Sequence, residues 1–251
     1  MTEQRIRAHL HAAVFGREMT VLPVTGSTND RCRQLAAQGA PEGTVVVAAA
    51  QTAGRGRRGR LFLSPEGGVY LSMLLRPQPG WDPGQITAMA AVAAARAVES
   101  VCHAKVGIKW VNDLYLGGKK LCGILTEGVP DAHGHLLYAV VGIGINVDTV
   151  PPEVAAIATS LTAEGYTVDR AVLTAALLDE WERLYTTGDT REVLEESRRR
   201  SVVLGRTVTV TRGDERFSAR AIRINDQGHL LVETAAGETV TLFSGEVSLQ
   251  L

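Results

Sequence analysis

The order of apolar and polar positions predicts alternating helices and strands over most of the chain. A continuous apolar run at residues 44–50 and an alternating run at residues 69–75 are typical of strands in a buried sheet. Gly117-Gly118, between two further strand-like stretches, predicts a tight hairpin. Helices are expected at residues 5–15, 29–38, 83–101, 169–185 and 191–200, and the further strands at residues 111–116, 120–127 and 136–146.

The pattern changes near residue 205, where the helical spacing ends. Short strand-like stretches at residues 207–212, 217–224, 230–234 and 238–242 are separated by turns that contain Gly, Asn or Asp. We therefore predict an α+β fold. A larger domain at residues 1–204 would carry a mixed sheet with flanking helices, and residues 205–251 would form a small all-β, barrel-like C-terminal domain.

Composition limits the class of protein. The 251 residues include 26 Lys and Arg against 27 Asp and Glu, and this near balance argues against a general binder of nucleic acid or membranes. The cysteines Cys32, Cys102 and Cys122 have no Cys-x-x-Cys spacing, so they predict neither a disulfide framework nor a zinc site. With no apolar run of about 18 residues, we predict a cytoplasmic protein without a membrane span.

Lysine is scarce and confined to one part of the chain. Only Lys105, Lys109, Lys119 and Lys120 occur, and the other 22 basic residues are arginines. Chance clustering in an arginine-biased chain is one explanation. The other is that this segment needs a compact ammonium group, which arginine does not supply.

A glycine- and arginine-rich segment, Gly-Arg-Gly-Arg-Arg-Gly-Arg at residues 54–60, follows the first buried strand. Its glycines match a dinucleotide-binding pattern, but the helix which that pattern requires does not follow, because residues 61–68 contain Pro65, Gly67 and Gly68. Four arginines among glycines predict a mobile cationic loop that becomes ordered around a phosphate or carboxylate. A solvated basic loop, or one that binds RNA, remains the alternative.

Further polar motifs interrupt the apolar strands. Lys109-Trp-Val-Asn-Asp113 places three polar residues in an apolar stretch, Lys120-Leu-Cys-Gly-Ile-Leu follows, and Gly-Ile-Gly-Ile-Asn146 ends the next strand. With Ser27-Thr28-Asn29 and the Gly-Arg loop, these motifs resemble the biotin protein ligases in order and spacing. The resemblance covers roughly residues 20–251, nearly the whole chain.

The resemblance implies an enzyme, a biotin–[biotin carboxyl carrier protein] ligase. Such ligases activate biotin with ATP and Mg²⁺ to biotinyl-5′-AMP and transfer biotin to a lysine of the carrier domain of acetyl-CoA carboxylase or a related carboxylase. No residue is assigned to a metal. Carried over to this chain, the family's functional residues are Lys120 and Arg57 for catalysis, Ser27, Thr28, Asn29, Gln51, Arg55, Gly56, Arg57 and Lys120 for biotin, and Arg58, Arg60, Phe62, Lys109, Asn112, Asp113 and Asn146 for the nucleotide.

Two departures from the family pattern concern the nucleotide. Phe62 stands where some members carry Trp, which weakens the expected stacking near adenine, and Gln250 stands where an Arg often follows the C-terminal Ser-Leu pair. About twenty residues precede the matched region, whereas members that act as repressors carry an N-terminal DNA-binding domain. We therefore expect a monofunctional ligase that does not bind DNA.

Several alternatives stay open. A lipoate or octanoyl ligase has a similar fold, and a non-catalytic regulator that senses biotinyl-AMP would share the ligand. Ser27 would be explained equally by a helix cap, and an alternative for Asp113 is that it only orients Lys109 or Lys120. For Trp110 the sequence favours core packing over stacking on a ligand. A homodimer formed through the strand at residues 136–146 is a further expectation by analogy.

Overall fold

The computed structural model describes residues 1–78, 80–212, 214–243 and 246–249. Within them no helix is long and apolar enough to cross a membrane. The helices are α1 (Glu3–Arg7), α2 (Thr28–Ala37), α3 (Pro83–Cys102), α4 (Arg170–Thr187) and α5 (Thr190–Arg199). The strands are β1 (Met19–Thr25), β2 (Val45–Gln51), β3 (Val69–Leu75), β4 (Gly107–Lys109), β5 (Asp113–Leu116), β6 (Lys119–Pro130), β7 (Leu136–Ile145), β8 (Thr207–Arg212), β9 (Glu215–Ile224), β10 (Leu230–Thr234), β11 (Thr239–Leu242) and β12 (Glu246–Leu249).

The larger unit is built on a seven-stranded mixed sheet, which confirms the predicted fold class. The strand order is β1-β2-β3-β7-β6-β5-β4. β1 and β2 are parallel because α2 connects them in a crossover, and the other neighbouring strands are antiparallel. The predicted hairpin between β5 and β6 is confirmed, since Gly117 and Gly118 have φ angles of 58° and 81°.

The two faces of this sheet bury cores of unequal size. Alternate residues of a strand point to opposite faces, so Val45 and Val47 join the large core under α3 and α4, whereas Val46 joins a small core under α2. On the α2 face of the neighbouring strand, Ser72 lies next to Leu74 and is fully buried. The sparse apolar packing on this face leaves room for a polar pocket.

Strands β8 to β12 form a separate five-stranded antiparallel sheet, which confirms the predicted all-β unit. Its strand order is β11-β10-β9-β8-β12, and one face buries its own apolar cluster. Trp110 from the larger unit is only 5% exposed, belongs to this cluster and donates from Nε1 to Gly228 O at 2.9 Å. Trp110 is thus a packing residue, as the sequence favoured. Ser244, Gly245 and Gln250 lie outside the described residues.

The predicted helix at residues 5–15 is wrong in length, because α1 ends at Arg7. From residue 11 onward the chain runs along α4 instead. Asp179 accepts from the backbone of His11 and Ala12, and Glu182 accepts from the next three backbone N–H groups. These two carboxylates replace the carbonyl acceptors that a helix would have supplied.

The strand at residues 136–146 does not offer the edge that was expected for a dimer. Residues 139–145 of β7 pair with β3 on one side, and β7 pairs with β6 on the other. The edges of the sheet are β1 and β4. β1 was not predicted, and Pro23 inside it is tolerated because an edge strand needs hydrogen bonds on one side only.

Trp181 anchors the core between α4 and the N-terminal segment, which leads to the first prediction. Its side chain is fully buried, stacks on Tyr185 at 5.6 Å and meets the edge of Phe15 at 5.9 Å. Trp181→Ala should lower the free energy of unfolding by about 3–5 kcal/mol, because a large buried ring leaves a cavity. Urea denaturation measures this loss, and the half-buried Trp81→Ala should lose less than half as much. Equal losses would contradict the assignment.

Candidate active site

One pocket opens on the α2 face of the sheet, beneath the Gly-Arg loop. Fourteen of the fifteen residues predicted for the site line it, and Asn146 is the exception. The predicted residues in the lining are Ser27, Thr28, Asn29, Gln51, Arg55, Gly56, Arg57, Arg58, Arg60, Phe62, Lys109, Asn112, Asp113 and Lys120. The lining also contains residues that sequence reasoning did not assign, namely Leu61, Trp110, Gly123, Ile124, Leu125, Gly142, Ile143, Gly144 and Val247.

One end of the pocket is a neutral, hydrogen-bonded recess at the start of α2. Gln51 Oε1 accepts from both the backbone N–H and the hydroxyl of Thr28, at 2.8 and 3.0 Å. Gln51 Nε2 donates to Ser64 Oγ at 2.8 Å, and this amide is therefore fixed at both ends. Ser27 caps α2 by accepting from Asp30 N at 3.4 Å and also lines the pocket, so the two interpretations of Ser27 are compatible.

Two polar residues behind this recess were missed by sequence reasoning. Ser72 Oγ lies 2.6 Å from Asn29 Oδ1 and 2.8 Å from Thr28 Oγ1, and Asn29 Nδ2 donates to Glu127 Oε2 at 2.7 Å. Ser72 stands alone as a polar residue in an apolar strand, and Glu127 follows an apolar stretch of β6. Unpaired polar groups are costly in such positions, so these isolated residues were the available signal.

Glycines on β6 and β7 bring the sheet backbone close to the pocket. A Cβ atom on Gly142 would lie far inside van der Waals contact with Asn29 Oδ1. A Cβ on Gly144 would lie 2.5 Å from Phe62 Cε1, and a Cβ on Gly123 would lie 2.8 Å from Phe62 Cε2. These glycines are needed because side chains from α2 and from the loop rest directly on the strands.

A lysine–aspartate pair occupies the other end of the pocket. Lys120 Nζ lies 2.8 Å from Asp113 Oδ1 and 5.7 Å from the centroid of the Phe62 ring. The two charged residues reach each other because β5 and β6 are neighbouring antiparallel strands with a register shift after Leu114. The side chains are 31% and 16% exposed, so Lys120 stays accessible from the pocket. Asp113 therefore orients Lys120 and not Lys109.

The end of β4 and the turn that follows it carry two further polar side chains, those of Lys109 and Asn112. Lys109 Nζ lies 3.3 Å from Tyr115 Oη and packs over that ring. Asn112 Nδ2 donates to Ile124 O at 3.0 Å, and Asn112 Oδ1 accepts from Arg57 Nη1 at 3.2 Å. Asn112 thus connects the turn both to β6 and to the Gly-Arg loop.

The Gly-Arg loop is folded back on itself by backbone hydrogen bonds. Gly56 N donates to Arg60 O at 2.7 Å, and Phe62 N donates to Gly54 O at 2.9 Å. Arg55 pairs with Glu127 and Asp30 at 2.9 and 2.8 Å. The sequence suggested that only a ligand anion would offset the repulsion among these arginines, and the structure shows that protein carboxylates offset part of it.

The pocket has a strong excess of positive charge. Among the lining residues that the structure describes, Asp113 is the only acid, and the cations are Arg55, Arg57, Arg58, Arg60, Lys109 and Lys120. Cys122 lies beside the site in β6, but burial raises the pKa of its thiol, so it stays neutral and is no nucleophile. Among the described residues no cluster of three His, Cys, Asp or Glu side chains is suited to a metal. The site is built for anions.

Asn146 lies behind the pocket. It is 7% exposed, and its Nδ2 donates to Thr159 O at 3.0 Å. Thr159 N in turn donates to Lys120 O, and Lys120 N donates to Ile157 O. Asn146 thereby helps to hold residues 157–159 against the backbone of Lys120, and a direct nucleotide contact by Asn146 stays a prediction.

Comparison with known proteins agrees with this geometry. Residues 21–146 match the biotin/lipoate A/B protein ligase family, and residues 203–250 match the biotin protein ligase C terminal domain. The match to the first family defines the class of protein as a ligase of the biotin and lipoate type. The match to the second narrows that class, and the chain belongs to the biotin protein ligase family.

Relatives and solved structures resemble nearly the whole chain. It is 37% identical to the bifunctional ligase/repressor BirA of Bacillus subtilis, covering 99% of this chain and 79% of that protein. It is 34% identical to the biotin--[acetyl-CoA-carboxylase] ligase of Mycobacterium tuberculosis, covering 98% and 95%. The structure of a biotin protein ligase from Aquifex aeolicus in complex with biotin and ATP matches with a TM-score of 0.79 at 29% identity, covering 93% and 99%.

The close approach of Gly142 to Asn29 gives the second prediction. Gly142→Ala should displace the Asn29 amide and lower the free energy of unfolding by about 1–3 kcal/mol, because an added methyl group overpacks a filled site. Gly26→Ala, which meets no atom within 4 Å, is the control and should change stability by less than about 1 kcal/mol. Urea denaturation of both variants is the measurement, and a neutral Gly142→Ala would refute the proposed contact.

Proposed function

We propose that this chain activates biotin with ATP and transfers it to a lysine of a biotin carboxyl carrier domain. The observation that carries the proposal is that one pocket joins a neutral hydrogen-bonding recess to a cationic end, with six cations and one acid among its described lining residues. A ureido ring, which has both N–H donors and a carbonyl acceptor, suits the recess at Thr28 and Gln51. A carboxylate and a triphosphate suit the cationic end.

The first step joins two anions. A carboxylate oxygen of biotin attacks the α-phosphorus of ATP, the bond to the β-phosphate oxygen breaks, and pyrophosphate leaves as biotinyl-5′-AMP forms. Positive charge must offset the repulsion between the reactants and the charge that develops on the α-phosphate. In this proposal Lys120, held by Asp113, bridges the biotin carboxylate and the α-phosphate, and Arg57 assists it.

The second step transfers biotin to protein. The neutral ε-amine of the carrier lysine attacks the carbonyl carbon of the mixed anhydride, AMP leaves with the electrons of the broken C–O bond, and the amine loses a proton. Water would destroy the anhydride before transfer. The Gly-Arg loop, through Arg55 and Gly56, covers biotin in this scheme and excludes water.

The remaining polar residues are proposed to bind the nucleotide. Arg58 and Arg60 would gather the phosphates, and Mg²⁺ would arrive with ATP as part of the substrate. Lys109, Asn112 and Asp113 line the same end of the pocket. Phe62 rests on Gly123 and Gly144 in the structure, and a contact of its ring with adenine therefore stays part of the proposal.

The biological setting is also proposed. The carrier domain of acetyl-CoA carboxylase is the expected partner, since the Mycobacterium tuberculosis relative is named for that reaction. The absence of DNA binding, the cytoplasmic location and the division into a catalytic domain at residues 1–204 and a C-terminal domain at residues 205–251 stay predictions. The formal net charge of −1 favours an enzyme that does not bind DNA.

A single assay tests the proposed function. Purified protein is incubated with ATP, Mg²⁺, a carboxyl carrier domain and either biotin, lipoate or octanoate, and the carrier is weighed by mass spectrometry. We expect the carrier to gain the mass of one biotinyl group with biotin, and no mass with lipoate or octanoate. A gain only from lipoate or octanoate would assign the chain to the alternative ligases, and ligand binding without any gain would favour the sensing regulator.

Lys120 and its neighbour Lys119 give a matched test of the first step. Lys120→Ala should slow pyrophosphate release by at least about 100-fold, because removal of one group that stabilises transition-state charge typically has this effect. Lys119 Nζ instead donates to Ala155 O, so Lys119→Ala should stay within about threefold of the unsubstituted protein. Equal rates for the two variants, each shown to be folded by circular dichroism, would remove Lys120 from its role.

A further inference from the structure

Glu127 links the Gly-Arg loop to the recess at the start of α2, although it does not line the pocket. Its carboxylate accepts from Arg55 Nη2 at 2.9 and 3.1 Å and from Asn29 Nδ2 at 2.7 Å. Arg33 of α2 adds a longer contact at 3.4 Å. One carboxylate thus connects β6 with a loop 72 residues and a helix 98 residues away along the chain.

On the recess side, Glu127 determines which way the Asn29 amide faces. Asn29 Nδ2 points at two acceptors, Glu127 and Leu125 O at 3.4 Å, so Asn29 Oδ1 faces Ser72. An amide oxygen only accepts, and the single Ser72 proton therefore goes to Asn29 at 2.6 Å. The chain of contacts continues from Ser72 to Thr28 at 2.8 Å.

This proton order fixes the chemistry of the pocket wall. With the Ser72 proton used, the Thr28 hydroxyl must donate its own proton to Ser72 or to Gln51 Oε1. Whichever oxygen accepts it, Thr28 Oγ1 keeps both of its lone pairs, whereas a turned Asn29 amide would release the Ser72 proton to occupy one of them. The recess then offers an acceptor to a ligand N–H, which a ureido ring has and the acyl chain of lipoate or octanoate lacks.

On the loop side, Arg55 forms ion pairs with Glu127 and Asp30, neither of which lines the pocket. Arg55 lies 2.8 Å from Asp30 and 2.9 Å from Glu127 and is 36% exposed. A pair as open as this one contributes little to global stability. Its effect is local, because it fixes the first arginine of a segment whose other arginines repel it.

We propose that Glu127 is a positioning residue that couples closure of the Gly-Arg loop to the acceptor character of the biotin recess. The proposal rests on the proposed function for the identity of the ligand, but the loop anchor does not depend on it. Loss of the carboxylate should loosen the loop and turn the Asn29 amide at the same time. It should leave the reacting groups at Lys120 and Asp113 in place.

The test uses variants that separate the two sides. Glu127→Gln should raise the KM for biotin about tenfold, which corresponds to about 1.4 kcal/mol, with kcat and the KM for ATP within about threefold. Trypsin should also cut the loop of the unliganded variant about tenfold faster, since its arginines are cleavage sites. Ser72→Ala should raise the KM for biotin without faster cleavage, and Asp30→Asn should speed cleavage with a smaller change in KM.

Two further variants serve as controls for the loss of a carboxylate and for the loss of its charge. Glu99→Gln removes another mostly buried carboxylate, one that pairs with Arg200 through two hydrogen bonds of 2.6 and 2.8 Å. Neither residue lines the pocket, so this variant should match the unsubstituted protein. Glu127→Asp keeps the charge, and its KM for biotin should lie between those of the unsubstituted protein and Glu127→Gln. Unchanged KM and cleavage in Glu127→Gln, or the same changes in Glu99→Gln, would overturn the coupling.

The outcome stays decisive if biotin is not the ligand. If the protein releases no pyrophosphate with biotin, the proposed function is refuted. The trypsin cleavage rates of the unliganded variants would still show whether Glu127 anchors the Gly-Arg loop. Faster cleavage in Glu127→Gln than in Glu99→Gln supports this anchoring. Equal rates refute it, whichever ligand the pocket takes.

Discussion

The excess of positive charge in one pocket is the constraint on which the rest of the molecule depends. Among the described lining residues six cations face one acid, Asp113, and this charge is needed wherever two anions must approach one another. The same cations repel each other, and this repulsion would disorder a glycine-rich loop. The fold meets both demands by pairing part of the charge from outside the pocket, with Asp30 and Glu127 on Arg55, while Lys120 is held by Asp113 inside it.

The mixed sheet supplies the rigid surface against which these charges are held. β7 lies between β3 and β6, so a residue of α2 meets β3 together with the much later hairpin of β6 and β7. Gly142 lets Asn29 rest on β7, and Gly123 lets Lys120 and Phe62 pack directly over β6. A larger side chain at either position would lift the functional groups off the backbone that fixes them.

Much of this arrangement was predictable from local pattern. Helices α3, α4 and α5 end within two residues of their predicted limits because caps and apolar spacing mark them, as Asp82 does for α3. Fourteen of the lining residues were predicted through the resemblance of their motifs to the biotin protein ligases, and not from local pattern alone. Ser72 and Glu127 were not predicted, because their partners lie 43 and 98 residues away and meet them only through the strand order. The dimer expected through residues 136–146 rested on analogy, and the strand order, which places β7 between β3 and β6, could not be predicted from local pattern.

The scarcity of lysine has a partial physical explanation. Lys105 is exposed and Lys119 binds a backbone carbonyl, and neither position requires an ammonium group. At Lys120 the space is restrictive, since its Nζ would lie only 3.2 Å from a Cβ on Gly123 and it sits between Asp113 and the ring of Phe62. A guanidinium is planar and wider, and its fork would pair with Asp113 through two bonds. That geometry would direct the donors to the carboxylate of the protein and away from the pocket, whereas the three donors of an ammonium can serve Asp113 and two anionic ligands together.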